Sequence, residues 1–393
     1  MIRIKTTSFI DHIIVTIITM ILLVVLGWLS FNIKFLSPVA RAIQGFSLSD
    51  MYYEIDWQEE GSPEISKEIT LIDITELTNR AEIAGVIEDV RKCEPSVIGV
   101  DIIFEDQNYD MHGDMVLMDV AESSNAIFAK KLTDYNVKTN SFQNQTRSYF
   151  ATDRIKEGYV NAIGDMSSTC LRKFSIERSL RGEPQRSFTS LIAEAYSGRS
   201  IPTNKTDDRF INYRFIDFPV VSYDSVLANR DLIKGRAVLI GTINEEADMH
   251  FTPLGKMAGL KVQAYSVQTI IDLKDIETIP KDLLMVLSIL ICYITVLLQF
   301  HWIRFIKASE KPFCVFLANS NLFLRFITFT WLAILALMTY IAYERLSLYI
   351  PMALILTPVI LVAEARGIYK AIISGLVKAR PDSIFNKSPY LKL

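Results

Sequence analysis

The stretch that decides the fold is AVLIGTINEEADMHFTPLG, residues 237–255. It begins with four consecutive apolar residues, a pattern typical of a strand buried on both faces of a sheet. Gly241 then allows the chain to turn, and an acidic segment that includes Asp248 leads to Thr252 and a Pro-Leu-Gly sequence. Open α/β sheets bind ligands beyond the carboxyl ends of their strands. The segment after this strand is therefore the first candidate for a ligand site.

Two earlier strands carry an aspartate of the same kind. The strand predicted for residues 69–72 leads into Asp73, and the strand predicted for residues 97–104 contains Asp101. Between them, the apolar residues from Ile83 to Val90 recur at helical spacing. Strand, helix and strand in this order form a βαβ unit with parallel strands. This unit is expected to bring Asp73 and Asp101 to the same edge of the sheet.

The rest of the region is predicted to complete an α/β domain with a largely parallel or mixed central sheet. Its shorter patterns predict a third strand at 126–129, an exposed excursion at 131–145, a strand pair at 159–162 and 171–176, a helix at 188–195 ended by Gly198, a strand at 210–213, a short helix around 226–227 and a final helix at 259–273.

Four runs with little charge are predicted to be transmembrane helices. The 393-residue chain is 50% hydrophobic, and its apolar residues concentrate at 13–33, 283–303, 326–343 and 346–363. The last run contains Pro351 and Pro358, which packed membrane helices tolerate. One span is thus expected before the polar region 34–282 and three after it.

Lys and Arg in the short segments predict the orientation. They concentrate in the tail 1–12, the loop 304–325 and the tail 364–393, and such segments stay in the cytoplasm. Both termini are therefore expected in the cytoplasm and residues 34–282 outside it. The first apolar run is longer than the core of a signal peptide, which favours an uncleaved anchor.

The charge of the exported region restricts its partners. Residues 34–282 carry 28 Lys and Arg against 39 Asp and Glu, a net charge of −11, whereas the whole chain carries −3. This acidity argues against nucleic acid and anionic lipid as partners. It suits a cationic ligand, a metal ion or a basic partner, and it also serves solubility alone. Cys93 and Cys170 could pair in an oxidising compartment.

Several blocks, taken in order, resemble the CHASE-two family. They are ITLID (69–73), VIGVDIIF (97–104), INY (211–213), SYDSVL (222–227), GRAVLIG (235–241), and Asp248 with TPLG (252–255) and MAGLKVQA (257–264). The resemblance implies an extracellular sensory domain of the kind associated with cyclases and histidine kinases, followed by three membrane spans. It also implies a bacterial inner membrane, with a periplasmic or extracellular domain.

The chain departs from the family's pattern at three places. Ala258 stands where the family usually has proline, and Gln263 stands where it usually has histidine. An acidic-glycine turn expected near residues 165–172 is degraded. After residue 363 only 30 residues remain, too few for a kinase, cyclase or phosphatase. A separate cytoplasmic or membrane protein is therefore expected to act as the effector.

The candidate ligand-binding residues are Asp73, Asp101, Asp248 and Thr252. Their carboxylates could bind a divalent cation or an amine, or each could cap a helix or a loop. Thr252 is better explained by a rigid turn. His250 lies two residues from Asp248, although neighbours in a loop need not face the same site. The identity of any metal stays open, and no cofactor is expected.

No catalytic arrangement is visible in the sequence. It contains no G-x-S-x-G motif and no glycine-rich phosphate loop. We therefore expect a non-enzymatic sensor that sits in the lipid bilayer and binds an unidentified envelope ligand or partner. The alternatives are a structural subunit of a membrane complex and, less favoured, a metal-dependent envelope hydrolase that uses the acidic residues.

Overall fold

The computed structural model describes residues 6–32, 50, 52–53, 61–107, 111–161, 170–203, 208–273, 276–308, 312 and 321–392. The chain divides into two compact units. Asp50–Ile276 forms the first, called the sheet domain here. Met1–Ser49 and Glu277–Leu393 form the second, called the helical unit.

The helices are α1 (Thr6–Asn32), α2 (Arg80–Lys92), α3 (Met111–Ser123), α4 (Phe188–Ser197), α5 (Gly259–Ile271), α6 (Lys281–Lys307), α7 (Asn321–Leu346) and α8 (Ala353–Ala379). The strands are β1 (Glu64–Ile65), β2 (Ile69–Asp73), β3 (Val97–Val100), β4 (Ile127–Asn136), β5 (Ser141–Thr146), β6 (Lys156–Tyr159), β7 (Lys173–Ser175), β8 (Glu177–Leu180), β9 (Glu183–Arg186), β10 (Asp208–Phe210), β11 (Ile216–Asp217), β12 (Val220–Ser222), β13 (Ala237–Gly241), β14 (Met249–Thr252), β15 (Gly255–Ala258), β16 (Glu277–Thr278) and β17 (Leu348–Tyr349).

The central sheet is mixed, which confirms the predicted fold class. Its strand order is β12-β2-β13-β3-β4-β5-β8-β9, with β6 also paired to β4. The strands from β12 to β4 run parallel, and β6 is parallel to β4. The pairs β4–β5 and β8–β9 are antiparallel. β13 lies in the middle of the parallel part and is buried along its whole length, as expected for the strand that decides the fold.

The βαβ unit forms as the sequence predicts. Helix α2 begins after Asn79, whose side chain accepts a hydrogen bond from the N–H of Ala81, and its apolar face is buried. In the register, Gly241 of β13 lies opposite Asp73. On the other side of β13, the N–H of Asp101 donates to the carbonyl oxygen of Ile240 at 2.8 Å. The two aspartates therefore lie at the same edge of the sheet, on either side of β13.

Two predictions in the middle of the domain are wrong, and a third falls outside the described residues. The expected excursion at 131–145 is the antiparallel hairpin β4–β5, because polar residues line a ribbon with solvent on one side. The strands expected to pair with each other have other partners: β6 pairs with β4, and β7 pairs with β10. The turn expected between them, which includes Gly164 and Asp165, lies outside the described residues.

Smaller differences concern element ends and cysteines. The strand expected at 97–104 ends at Val100, and the strand expected at 210–213 is β10, which ends at Phe210. The short helix around 226–227 is a 3-10 helix at Leu227–Leu232. Cys93 is buried, Cys170 is half-buried, and neither cysteine is in a disulfide.

The helical unit has three helices long and apolar enough to cross a membrane, not four. These stretches are Phe9–Leu29, Lys281–Ile306 and Arg325–Leu346, close to three of the predicted spans. The fourth prediction, at 346–363, is wrong because its helix α8 begins only at Ala353. An 18-residue window from that point already contains Glu364, Arg366 and Lys370. The count refers to the described helices.

Helix α8 nevertheless packs along α1 and α6. Near its start Val359 packs with Leu284 of α6, and further along Tyr369 donates a hydrogen bond to Asp11 Oδ1 at 2.5 Å. The C-terminal segment then contacts the start of α1, where Ser388 Oγ donates to Asp11 Oδ2 at 2.8 Å. The last described residues of the chain thus lie beside the beginning of α1.

Candidate functional site

A small cavity of about 80 Å³ lies at the carboxyl edge of the parallel strands. Asp101 enters it from the end of β3, Asp248 from the 3-10 turn Glu246–Asp248, and His250 from β14. Helix α5 supplies Gly259 and Gln263. Two of the four candidate ligand-binding residues, Asp101 and Asp248, are therefore brought together by the loop after β13.

The environment of Asp101 favours its protonated form. Burial in the sheet edge raises the pKa of its carboxyl to about 7, with a smaller contribution from the negative charge of Asp248. The positive charge of His250 acts in the opposite direction. A carboxyl with this pKa is partly protonated at neutral pH.

A glycine at the start of α5 makes room for Asp248. A Cβ atom built on Gly259 would lie 2.5 Å from Asp248 Oδ2, closer than real Cβ atoms approach. The carboxylate therefore rests against the first turn of α5, where the positive end of a helix dipole favours a negative charge. Asp248 Oδ1 also lies 3.5 Å from His250 Nε2. The structure thus places Asp248 and His250 in one site.

Gly241, the residue that ends β13, has a similar role. A Cβ atom there would lie 2.9 Å from Leu260 Cδ1 and 3.4 Å from Asp101 Cβ. Only glycine allows α5 to pack this close to the end of β13. The turn predicted from Gly241 in the sequence is therefore also the contact that holds α5 against the cavity.

Asp73 and Thr252 do not line this cavity. Asp73 Oδ1 accepts hydrogen bonds from Thr75 N at 2.9 Å and from Thr75 Oγ1 at 2.5 Å, so it stabilises the turn after β2. Thr252 Oγ1 donates to the carbonyl oxygen of Gly255 at 2.9 Å and accepts from Leu254 N at 3.2 Å. It closes the turn between β14 and β15.

The sequence did not single out some residues that line the cavity. Lys173 enters from β7, and its Nζ lies 4.7 Å from the centre of the Phe210 ring. In the sequence, Gln263 stands out only as the position where the family usually has histidine. Its Nε2 donates weakly to the carbonyl oxygen of Val160 at 3.4 Å. The helical periodicity of residues 259–271 was the only signal for its orientation.

A larger cavity of about 710 Å³ lies elsewhere in the sheet domain, beside the β14–β15 hairpin. Its main polar groups already have partners. Lys261 Nζ lies 3.3 Å from Asp217 Oδ1, and the Tyr265 hydroxyl donates to the carbonyl oxygen of Ile216 at 2.6 Å. We therefore place the candidate site at the smaller cavity, where two carboxylates face each other.

Within the described ranges, no group of three or more His, Cys, Asp or Glu side chains is placed to hold a metal. Calcium takes six to eight oxygen ligands, and an ammonium group carries three hydrogen-bond donors.

Comparison with known families now identifies the class of protein. The profile of the CHASE2 domain matches residues 15–298, so the chain belongs to the CHASE2 domain family. CHASE2 domains are extracellular sensory domains, and the resemblance seen in the sequence is thereby confirmed. No curated protein and no solved structure matches the chain.

Proposed function

We propose that the protein is a membrane-anchored sensor. Its sheet domain faces away from the cytoplasm and binds a small cationic ligand in the Asp101–Asp248 cavity. The protein itself is not an enzyme and passes the signal to a separate effector protein. Membership of a family of extracellular sensory domains and the three apolar helices support this proposal.

The observation that carries the proposal is the meeting of Asp101 and Asp248 beside the first turn of α5. A ligand held by the two carboxylates would contact α5. Only residues 272–280 lie between α5 and the apolar helix α6 in the sequence. A shift of α5 on binding therefore has a short covalent route to a membrane span.

The chemistry of the cavity favours a protonated amine. The carboxylates of Asp101 and Asp248 attract a positive charge, which the ammonium group of Lys173 in the same lining opposes. A volume of about 80 Å³ admits a group of a few heavy atoms. Because the pKa of Asp101 is about 7, this carboxyl is about half protonated at pH 7. It becomes fully ionised when a bound cation displaces its proton. Binding is therefore coupled to proton release.

The proposed location is the inner membrane of a bacterium, with residues 34–282 in the periplasm or outside the cell and both termini in the cytoplasm. Three crossings alone would leave the termini on opposite sides of the membrane, so this arrangement also requires α8 to cross it. The Lys and Arg of the short segments support this orientation. The hydrogen bond from Ser388 to Asp11 supports it too, because it holds the C-terminal segment beside the start of α1. A single cysteine placed at the exposed position Glu183 of the sheet domain should react with an impermeant maleimide in intact spheroplasts. A single cysteine placed at the exposed position Asp382 of the C-terminal tail should not react.

The ligand proposal is tested by thermal unfolding of the full-length protein in nanodiscs, with methylammonium and Ca²⁺ as separate probes. A ligand at 100 times its Kd stabilises the folded state by about 2.7 kcal/mol. We expect methylammonium to stabilise the wild type and to lose this effect in Asp248→Asn. The matched control is Asp224→Asn, an exposed aspartate away from the cavity. Equal stabilisation of wild type and Asp248→Asn would refute the site.

A further inference from the structure

A cavity in the helical unit lies between the two apolar helices α6 and α7. Its volume is about 420 Å³, within the range of small-molecule pockets, and most of its lining is apolar. Trp302 of α6 and Phe326 and Trp331 of α7 supply aromatic surface. Only 6% of the apolar window of α7 is buried, against 39% of that of α6. Helix α7 is therefore largely exposed along its apolar window.

Gln299 of α6 is the polar group that distinguishes this cavity from a gap filled by acyl chains. Its side chain is 3% exposed, and its Nε2 donates to Thr328 Oγ1 of α7 at 3.2 Å. Its Oε1 is buried and has no hydrogen-bond partner. An unmet carbonyl at membrane depth is unfavourable because no bulk water can satisfy it.

The neighbouring polar groups are already paired with each other. Trp331 Nε1 donates to Thr295 Oγ1 at 3.0 Å, and Thr295 Oγ1 donates to the carbonyl oxygen of Ile291 at 2.7 Å. Their donors are therefore occupied, and the acceptor on Gln299 needs a donor from outside this set. A hydrocarbon chain can fill the volume but has no donor to offer.

We propose that the α6–α7 cavity is an intramembrane binding site for a hydroxyl-bearing lipophile. Its apolar body contacts Trp302, Phe326 and Trp331, and its hydroxyl donates to Gln299 once the amide turns toward the cavity. This site is independent of the Asp101–Asp248 cavity and does not require that cavity to bind a ligand. An occupant would contact α6 and α7 together, next to the Gln299–Thr328 pair that already links the two helices.

The test uses the full-length protein in phosphatidylcholine nanodiscs and two photoreactive probes of equal length. One is a diazirine-bearing hexadecanol, and the other is the same chain without the hydroxyl. Hydrogen bonds between groups in a membrane give about a threefold to twentyfold preference. We expect the alcohol to label peptides from 295–302 and 326–334 more strongly than the hydrocarbon by a factor in that range.

Gln299→Leu keeps the apolar volume and removes the acceptor. We expect it to abolish the preference for the alcohol while hydrocarbon labelling continues. Thr339→Val is the matched control, since the Thr339 hydroxyl bonds to the carbonyl oxygen of Ala336 within α7. If Gln299→Leu lost labelling by both probes, the ratio measured in the wild type would decide alone. Equal labelling of the wild type by both probes, or a preference that survives Gln299→Leu, would overturn the proposal.

Discussion

Replacement of Asp101 by asparagine should stabilise the sheet domain at pH 8 and leave its stability nearly unchanged at pH 4. The folded state raises the pKa of this carboxyl from 3.8 to about 7. Between pH 3.8 and about pH 7 the folded state holds a proton on Asp101 that the unfolded chain has lost. Stability from this group is therefore fully present below pH 4 and falls as the pH rises toward 7.

The magnitude follows from the size of the shift. Each pKa unit corresponds to about 1.4 kcal/mol, so a shift of about three units gives at most about 4 kcal/mol. Asp101 is half-buried beside an open cavity, and solvent screening reduces this value to about 2 to 4 kcal/mol. Asparagine stays neutral at every pH and avoids the whole penalty. Asp101→Asn should therefore gain about that amount above pH 7.

The assay is pulse proteolysis of the full-length protein in nanodiscs across a urea series at pH 4, 6 and 8. With a urea dependence of about 2 to 3 kcal/mol per M, the midpoint should rise by about 1 M at pH 8. Asp224→Asn serves as the control because Asp224 is exposed and lies away from the cavity. The reasoning would be refuted if wild type and Asp101→Asn showed the same midpoints at pH 4 and at pH 8.

Three further predictions concern packing and polar pairs. Gly158→Ala should lower the stability of the sheet domain in thermal melts by about 1 to 3 kcal/mol or more, because its Cβ would lie 2.4 Å from the backbone of Phe188. The control Gly85→Ala, whose Cβ would have nothing within 4 Å, should be neutral or stabilising in the same melts. Arg80→Ala should destabilise by about 3 to 5 kcal/mol in urea unfolding, because it removes the ion pair with the nearly buried Asp114, and the double variant with Asp114→Ala should recover part of the loss. Tyr390→Phe removes the hydrogen bond to His12 Nδ1 and should lower the melting midpoint of the helical unit by an amount equivalent to about 1 kcal/mol; an unchanged midpoint would argue against that bond.

The elements that the sequence predicted well are those whose signal is local. Strands β2 and β13 are short apolar runs, and helices α2, α4 and α5 show the helical period within their own residues. Gly198 ends α4 with a φ of 66°, a conformation that glycine adopts easily.

Strand pairing was not predictable in the same way, because it depends on residues far apart in the chain. Tyr159 of β6 pairs with Lys130, and Phe174 of β7 pairs with Arg209. Nothing in either segment specifies those partners. The fourth span was predicted from hydropathy across residues 346–363. Only the second part of this apolar run belongs to α8, which begins at Ala353. Charged residues follow further along the same helix.

The candidate site was predictable at the level of the sheet edge and no further. Parallel strands place Asp73 and Asp101 at one edge, but the direction of each side chain depends on its turn. Asp73 is held by Thr75, whereas Asp101 faces Asp248 across the cavity. His250 and Lys173 line the cavity because of where β14 and β7 are placed in the fold. Residue spacing does not predict that placement.

The most direct measurement of the central claim is the number of protons released when methylammonium binds. Isothermal titration of the full-length protein at pH 7, in buffers of different ionisation enthalpy, gives this number. With the pKa of Asp101 at about 7, we expect about half a proton released per bound cation in the wild type and none in Asp101→Asn. An absence of binding, or binding with the same proton release in both proteins, would contradict the proposed sensor site.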